Sequence, residues 1–145
     1  MRRPSRLPTR PPRPSAALHP RRPLAAATND NAILSGTDGQ LKQFATNHLG
    51  YVGRKGLDFV ARMHGRYVIG EAKFLTDFGG HQNGQFTDGL SLLGNAAKAL
   101  KVAIYDGVLY IRSRSRFFTY PATHREEYNI LSSLLLRDFL YSIGS

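Results

Sequence analysis

The pattern of hydrophobic and polar positions divides the chain into short helices and strands. The first helical stretch lies between Thr37 and Gly50 and has apolar residues at helical spacing, at Leu41, Phe44, Ala45 and Leu49. Thr37 and Gln40 have the spacing of a capping box, and Gly50 is typical of a helix end. The pattern therefore predicts a helix that begins after Thr37 and ends near Leu49.

Two β-rich runs follow this helix. Residues 57–63 (LDFVARM) and 67–74 (YVIGEAKF) are rich in apolar and β-branched residues and flank the short segment His64-Gly65-Arg66. A glycine-containing turn between two such runs is typical of an antiparallel hairpin. The pattern predicts a pair of adjacent strands here.

The second half of the chain predicts four further segments. A polar, glycine-rich loop over residues 76–84 is followed by apolar positions at helical spacing from Phe86 to Leu100. Residues 101–112 (KVAIYDGVLYIR) predict a strand pair that turns at Asp106-Gly107. A second capping-box pattern at residues 123–126 predicts a last helix that ends near Gly144. The expected order is α-β-β-α-β-β-α.

Composition narrows the possible chemistry. The chain has 145 residues, a formal net charge of +10 and no cysteine. The absence of cysteine excludes disulfides, cysteine-ligated zinc, iron–sulfur clusters and a thiol nucleophile. No apolar run is long enough to span a bilayer, so no membrane segment is expected. The excess of basic residues favours a polyanionic partner, with nucleic acid first.

The positive charge is concentrated at the N-terminus. Residues 1–23 contain seven arginines, seven of the eight prolines and no acidic residue. Such a segment cannot bury apolar surface, so we expect residues 1–30 to be a disordered tail and residues 31–145 to be the folded core. The tail could be a basic arm that binds phosphates, a targeting peptide, or upstream sequence attached to the true start.

Candidate chemistry lies on the predicted hairpin. Glu71 and Lys73 share one face of a strand because side chains alternate, and Asp58 falls nearly opposite them on the partner strand. Two carboxylates, with the carbonyl of Ala72, are suitable oxygen ligands for Mg²⁺. Lys73 could then position or deprotonate a water molecule and offset phosphate charge. The alternative is a solvated sheet face with cross-strand ion pairs, but the apolar neighbours favour a site.

The stretch from Gly56 to Phe86, with the run GEAKFLTDFGGHQN at residues 70–83, resembles the catalytic core of PD-(D/E)xK nucleases. More narrowly, it is similar to a group of type II restriction endonucleases. The resemblance implies an α/β fold with a mixed central β-sheet flanked by helices. It implies that Asp58, Glu71 and Lys73 are catalytic and that Asp58, Glu71 and Ala72 bind the metal. Leu57 stands where the general motif has proline.

Several polar residues near this motif are candidate DNA contacts, and the side chains in question are Arg54, Lys55, His81, Gln82, Asn83 and Gln85. Each could bind phosphates or base edges. Arg112, Arg114 and Arg116 alternate with serines, which fits either phosphate binding or an edge strand protected by charges.

Together these features predict a Mg²⁺-dependent endonuclease that hydrolyses double-stranded DNA. We expect a type II restriction enzyme or a fragment of one, acting as a homodimer in a prokaryotic cytoplasm. Two alternatives remain open, a repair or Holliday-junction resolving nuclease of the same fold and a non-catalytic DNA-binding remnant.

Overall fold

The computed structural model describes residues 31–144, so the predicted tail over residues 1–30 lies outside the described part of the chain. Strands and helices alternate along most of its length. The order is β1 (Ala32–Leu34), α1 (Asp38–Leu49), β2 (Phe59–Met63), β3 (Arg66–Leu75), α2 (Gly80–Leu93), β4 (Leu100–Gly107), a 3₁₀ turn (Val108–Tyr110), α3 (Arg116–Thr123), β5 (Asn129–Leu131) and α4 (Ser133–Ser142).

The strands form one five-stranded sheet in the order β1-β2-β3-β4-β5. The β1–β2 and β2–β3 pairs are antiparallel, whereas β3–β4 and β4–β5 are parallel. The predicted α/β class with a mixed central sheet is therefore confirmed. The last β2–β3 pair joins Phe59 to Gly70, so β3 continues for five residues beyond the end of β2.

Helices cover both faces of this sheet. On one face, α1 packs Leu41 and Ala45 against Val60 and Ile69. On the other face, Leu140 of α4 belongs to the apolar cluster that includes residues 61, 63 and 68 of the hairpin. A third cluster joins α2 and α3 to the end of the sheet and contains Leu75, Phe86, Leu93, Ala103, Tyr105, Leu109 and Phe117.

The first helix and the hairpin have the predicted positions. Thr37 and Gln40 form both hydrogen bonds of a capping box, and α1 ends at Leu49, before Gly50. The β2–β3 turn has positive φ angles of 49° at His64 and 77° at Gly65. Short-range signals specified α1, β2 and β3 well, whereas strand β1 was not predicted.

The predicted loop over residues 76–84 and the predicted helix from Phe86 to Leu100 are both wrong in extent. Helix α2 begins at Gly80, inside the glycine-rich stretch, and ends at Leu93. Phe86 and Leu93 are buried in the third cluster, and packing of this kind stabilises a helix whose sequence favours it weakly. Leu100 belongs to β4 instead.

The predicted strand pair over residues 101–112 is also wrong. Only β4 forms, and a 3₁₀ turn follows it at Val108. Gly107 has a φ of +91°, and a Cβ atom there would lie 2.0 Å from the carbonyl oxygen of Leu75. The Asp106-Gly107 pair therefore takes the chain out of the sheet rather than back along it.

The predicted last helix, with its capping box at residues 123–126, is replaced by a short strand and a shorter helix that begins later. Helix α3 ends at Thr123, β5 pairs with β4 through Val102 and Asn129, and α4 begins after Ser132. Two serines, Ser115 and Ser132, are the actual N-caps. Within residues 31–144, no helix has the length and apolar character needed to cross a membrane.

Candidate active site

Asp58 directly precedes β2 and lies beside the part of β3 that extends past β2. The backbone N–H of Asp58 donates to the carbonyl of Gly70 at 3.1 Å. Its carboxylate accepts a hydrogen bond from the N–H of Ala72 at 2.6 Å, where a further β2 residue would otherwise pair. Asp58 thus lies across from Glu71, one position past the last strand pair, and it is exposed to solvent.

Glu71 and Lys73 form an ion pair on the same face of β3. Lys73 Nζ lies 2.7 Å from Glu71 Oε1, and the side chains are 25% and 7% exposed, respectively. Burial by itself would lower the pKa of Lys73. The hydrogen bond and charge of Glu71, with the charges of Asp58 and Asp88, outweigh burial and raise this pKa above its usual value. Lys73 is therefore a cation and a hydrogen-bond donor at neutral pH.

Close packing fixes the strand just before Glu71. A Cβ atom at Gly70 would lie 1.8 Å from Phe59 Cε1, so the phenyl ring occupies the space where any other side chain would begin. A larger residue would displace the ring or the strand, and either movement would shift Glu71. Glycine at this position allows β2 and β3 to pair tightly at the site.

A buried tyrosine lies beside Lys73. Tyr105 of β4 is the cross-strand partner of Lys73 and is fully buried. Its hydroxyl donates to the carbonyl of Phe86 in α2, and a Cβ atom at Gly89 would lie 2.3 Å from the hydroxyl oxygen. Burial, and next the charge of Glu71, raise the pKa of Tyr105, so the phenol stays neutral. A tyrosine in a strand is typical of ordinary sheet packing, so its residue type does not indicate a special position. The β3–β4 register and the hydrogen bond to Phe86 show that Tyr105 connects α2 to the strand that carries Lys73.

Tyr51 gives a second buried phenol near the cluster. It is 5% exposed, and burial and then the charge of Glu71 raise its pKa. It lies directly after Gly50, at the end of α1. Nothing in its local sequence distinguishes it from other core tyrosines, so sequence reasoning missed both phenols.

The β3–α2 connection uses one of the predicted DNA contacts internally. The Gln82 amide donates to the hydroxyl of Thr76 at 3.1 Å and accepts from its N–H at 3.3 Å. His81 is exposed, and Asn83 and Gln85 are half-buried in the first turns of α2. His81, Asn83 and Gln85 therefore lie in the helix that follows β3.

The two basic candidates before β2, Arg54 and Lys55, lie in a loop that contacts α1 and α2. Lys55 forms an ion pair with Asp88 of α2, with side chains 57% and 33% exposed. The carbonyl of Arg54 accepts from Lys42 Nζ at 2.8 Å, while its own side chain lies in an exposed position. The Lys55–Asp88 pair joins the loop before β2 to α2.

The oxygen atoms at the end of β3 suit a hard divalent cation. Asp58 and Glu71 supply carboxylates, and the Ala72 carbonyl points to the same side of β3 as the N–H that binds Asp58. In residues 31–144 no three His, Asp or Glu side chains group as a metal site, so protein ligands alone would leave positions for water. Mg²⁺ usually keeps several waters and uses one or two carboxylates, so this donor set fits it.

Comparison with known proteins gives one family. A family model described as Tsp45I type II restriction enzyme matches residues 24–143, a range that includes every helix and strand described above. No curated protein and no solved structure matches the chain.

Proposed function

Because the chain belongs to the Tsp45I type II restriction enzyme family, we propose that it is a Mg²⁺-dependent endonuclease that hydrolyses double-stranded DNA at specific sites. The observation that carries this proposal is the cluster at the end of β3. Asp58 binds the Ala72 backbone beside Glu71, and Glu71 pairs with Lys73. The five-stranded mixed sheet that presents the cluster is compatible with a restriction-endonuclease-like fold.

In this proposal Asp58, Glu71 and the carbonyl of Ala72 hold the metal. A bound Mg²⁺ would acidify a water molecule and neutralise charge on the scissile phosphate. The hydrogen bond from Ala72 to Asp58 fixes one carboxylate oxygen and leaves the other free to bind a ligand. The nearly complete burial of Glu71 keeps its carboxylate in one orientation.

Lys73 acts as a cation next to these carboxylates. Its raised pKa means that it holds its proton at neutral pH, so it donates a hydrogen bond rather than accepting a proton in the resting state. A protonated lysine at this place can hold the attacking water and stabilise negative charge that develops on phosphate oxygens. The sequence left two roles open for Lys73, to position the attacking water or to deprotonate it. A protonated resting state favours the positioning role.

DNA contacts extend from the loop before β2 to the first turns of α2. Arg54 and Lys55 would meet phosphates on one side of the site, and His81, Gln82, Asn83 and Gln85 would approach the duplex on the other. Lys55 would have to leave Asp88, and Gln82 would contribute through the loop that it holds together. We further propose a homodimer on DNA, because each strand of a duplex needs its own active site.

Plasmid cleavage tests this function. The full chain is incubated with plasmid DNA in Mg²⁺ and in EDTA, beside Asp58→Asn and the control Asp138→Asn, which changes an exposed position of α4. We expect discrete fragments from the wild type and from Asp138→Asn only in Mg²⁺, and none from Asp58→Asn. Nicking confined to branched DNA would indicate a repair nuclease. Binding without cleavage in Mg²⁺ or Mn²⁺ would indicate a non-catalytic protein.

A further inference from the structure

Five residues before and at the start of α3 alternate arginine with serine. The hydroxyl of Ser113 accepts from the N–H of Ser115 at 3.2 Å, and the hydroxyl of Ser115 accepts from the N–H of Phe117 at 3.2 Å. The arginines at positions 112, 114 and 116 are all exposed. The serines therefore stabilise the local backbone, and Arg112 and Arg114 are left to face solvent. We refer to residues 112–116 as the arginine segment.

These charges do not protect a sheet edge. Residues 112–115 are outside every strand, and Arg116 is the first residue of α3. No acidic residue occurs between Asp106 and Glu126, so the segment has no local charge to offset it. Among residues 31–144, neither Arg112 nor Arg114 has a hydrogen-bond or ion-pair partner. The alternative that the charges protect an edge strand is thus excluded.

Contacts of the neighbouring side chains place the arginine segment beside α2 and the loop after Lys73. The Arg116 guanidinium lies over the Phe86 ring, 5.1 Å from its centroid, and contacts the Thr87 hydroxyl at 3.4 Å. Phe78, in the loop between β3 and α2, stacks on Phe117 with ring centroids 6.1 Å apart. Phe117 is buried in the same cluster as Tyr105, the cross-strand partner of Lys73.

We infer that the arginine segment is a second DNA contact surface, which binds backbone phosphates of the duplex next to the cleavage site. The inference rests on the proposed function for its partner. The exposed guanidinium groups of Arg112 and Arg114, which have no partner among residues 31–144, complement a polyanion, and each phosphate contact releases bound counterions. The contacts of Arg116 with α2 connect this surface to the helix that follows the catalytic strand.

The salt dependence of DNA binding tests the inference. Binding of the full chain to a mixed-sequence 30-base-pair duplex in EDTA is measured between about 50 and 200 mM salt. The variant is Arg112→Gln/Arg114→Gln. The control, Arg66→Gln/Arg137→Gln, removes the same charge from exposed positions at the start of β3 and on α4. Circular dichroism melts establish that both variants are folded.

We expect the Arg112→Gln/Arg114→Gln chain to lose about two units of slope in log affinity against log salt. Across this range the wild type should lose about tenfold more affinity than that variant, and the control should follow the wild type. Equal slopes in all three chains, or equal losses in both variants, would overturn the inference. If the wild type cuts DNA while the three slopes are equal, the inference is wrong and the proposed function stands. If the slope depends on Arg112 and Arg114 but no DNA is cut, the proposed function is wrong and the inference stands.

Discussion

Two lysine–carboxylate pairs near the end of β3 differ in how much water reaches them. Lys73 and Glu71 are 25% and 7% exposed, whereas Lys55 and Asp88 are 57% and 33% exposed. Both pairs join a lysine to an acidic group, and both lie beside α2 or the strand that leads into it. Only the Lys73–Glu71 pair is kept at a place where burying charge is costly.

Physical chemistry gives the two pairs different expected roles. An exposed pair contributes about 0–1 kcal/mol to stability, because water screens the attraction. A buried pair must recover a desolvation cost, and replacing it with apolar residues is often neutral or stabilising. The Lys73–Glu71 pair is therefore hard to explain by stability alone, and the proposed catalytic role would give a reason for keeping it.

The largest expected difference between the pairs is in DNA cleavage. Glu71→Gln removes a proposed metal ligand and should lower the rate of Mg²⁺-dependent cleavage by about 10³-fold. Asp88→Asn breaks the exposed pair and should change the rate less than about threefold. Initial rates on a single plasmid substrate measure both. Comparable losses in the two variants would remove the distinction between the pairs.

The second difference is in the free energy of unfolding. Lys73→Ala leaves the Glu71 carboxylate buried without its cation, which should cost about 2 kcal/mol, less than for a fully buried pair because Lys73 is partly exposed. Lys55→Ala should cost less than about 1 kcal/mol. Urea denaturation of both variants gives the two values.

A double variant separates the charge from the packing. Glu71→Gln/Lys73→Met removes both charges and keeps similar side-chain volume, so it should be about as stable as the wild type yet inactive. If it is as unstable as Lys73→Ala, then packing around these side chains, and not the unpaired charge, explains the loss.

Tyr105 connects the buried Lys73–Glu71 pair to α2, and the exposed Lys55–Asp88 pair provides the contrast. Tyr105→Phe removes the phenol donor from the Phe86 carbonyl and the link between β4 and α2, which should cost about 1 kcal/mol. As a positioning residue it should lower kcat for cleavage more than it raises KM, since α2 would be held less firmly beside Lys73. A stability loss with unchanged kcat would leave it a purely structural side chain.

Alkaline pH gives the smallest effect. The pKa of Lys73 is raised in the folded protein, so its contribution to stability is present below its unfolded pKa of about 10.4 and is lost as pH rises through the folded value. Between the unfolded and the folded pKa of Lys73, the wild type should lose stability with rising pH more steeply than Lys73→Gln. Urea denaturation at a series of pH values measures the two slopes, and parallel curves would contradict this assignment.

Local sequence signals were sufficient for the region that carries the cluster. The capping box at Thr37 and the glycine turn at Gly65 place α1, β2 and β3 within a residue or two of their observed bounds. Strand alternation alone put Glu71 and Lys73 on one face. The register then brings Asp58 to the same point, because Asp58 directly precedes Phe59, the first residue of β2, which pairs with Gly70.

Tertiary contacts decided the regions that sequence signals did not. Strand β5 has three residues and forms because Asn129 can pair with Val102, far away in the chain. The capping-box pattern at Thr123 does not begin a helix. The last helix is instead capped by Ser132, whose hydroxyl also donates to Asp106 at 2.6 Å. A window of neighbouring residues contains neither partner, so such elements cannot be read from local pattern. The link from Tyr105 to α2 escaped prediction for the same reason.

Cleavage by matched lysine variants tests the central claim most directly. Wild type, Lys73→Ala and Lys55→Ala are compared on the same DNA with Mg²⁺, with binding of each chain measured in parallel. We predict that Lys73→Ala binds DNA but does not cut it, while Lys55→Ala cuts with modestly weaker binding. If Lys73→Ala cuts as fast as the wild type while remaining folded, then the cluster at the end of β3 is not the active site.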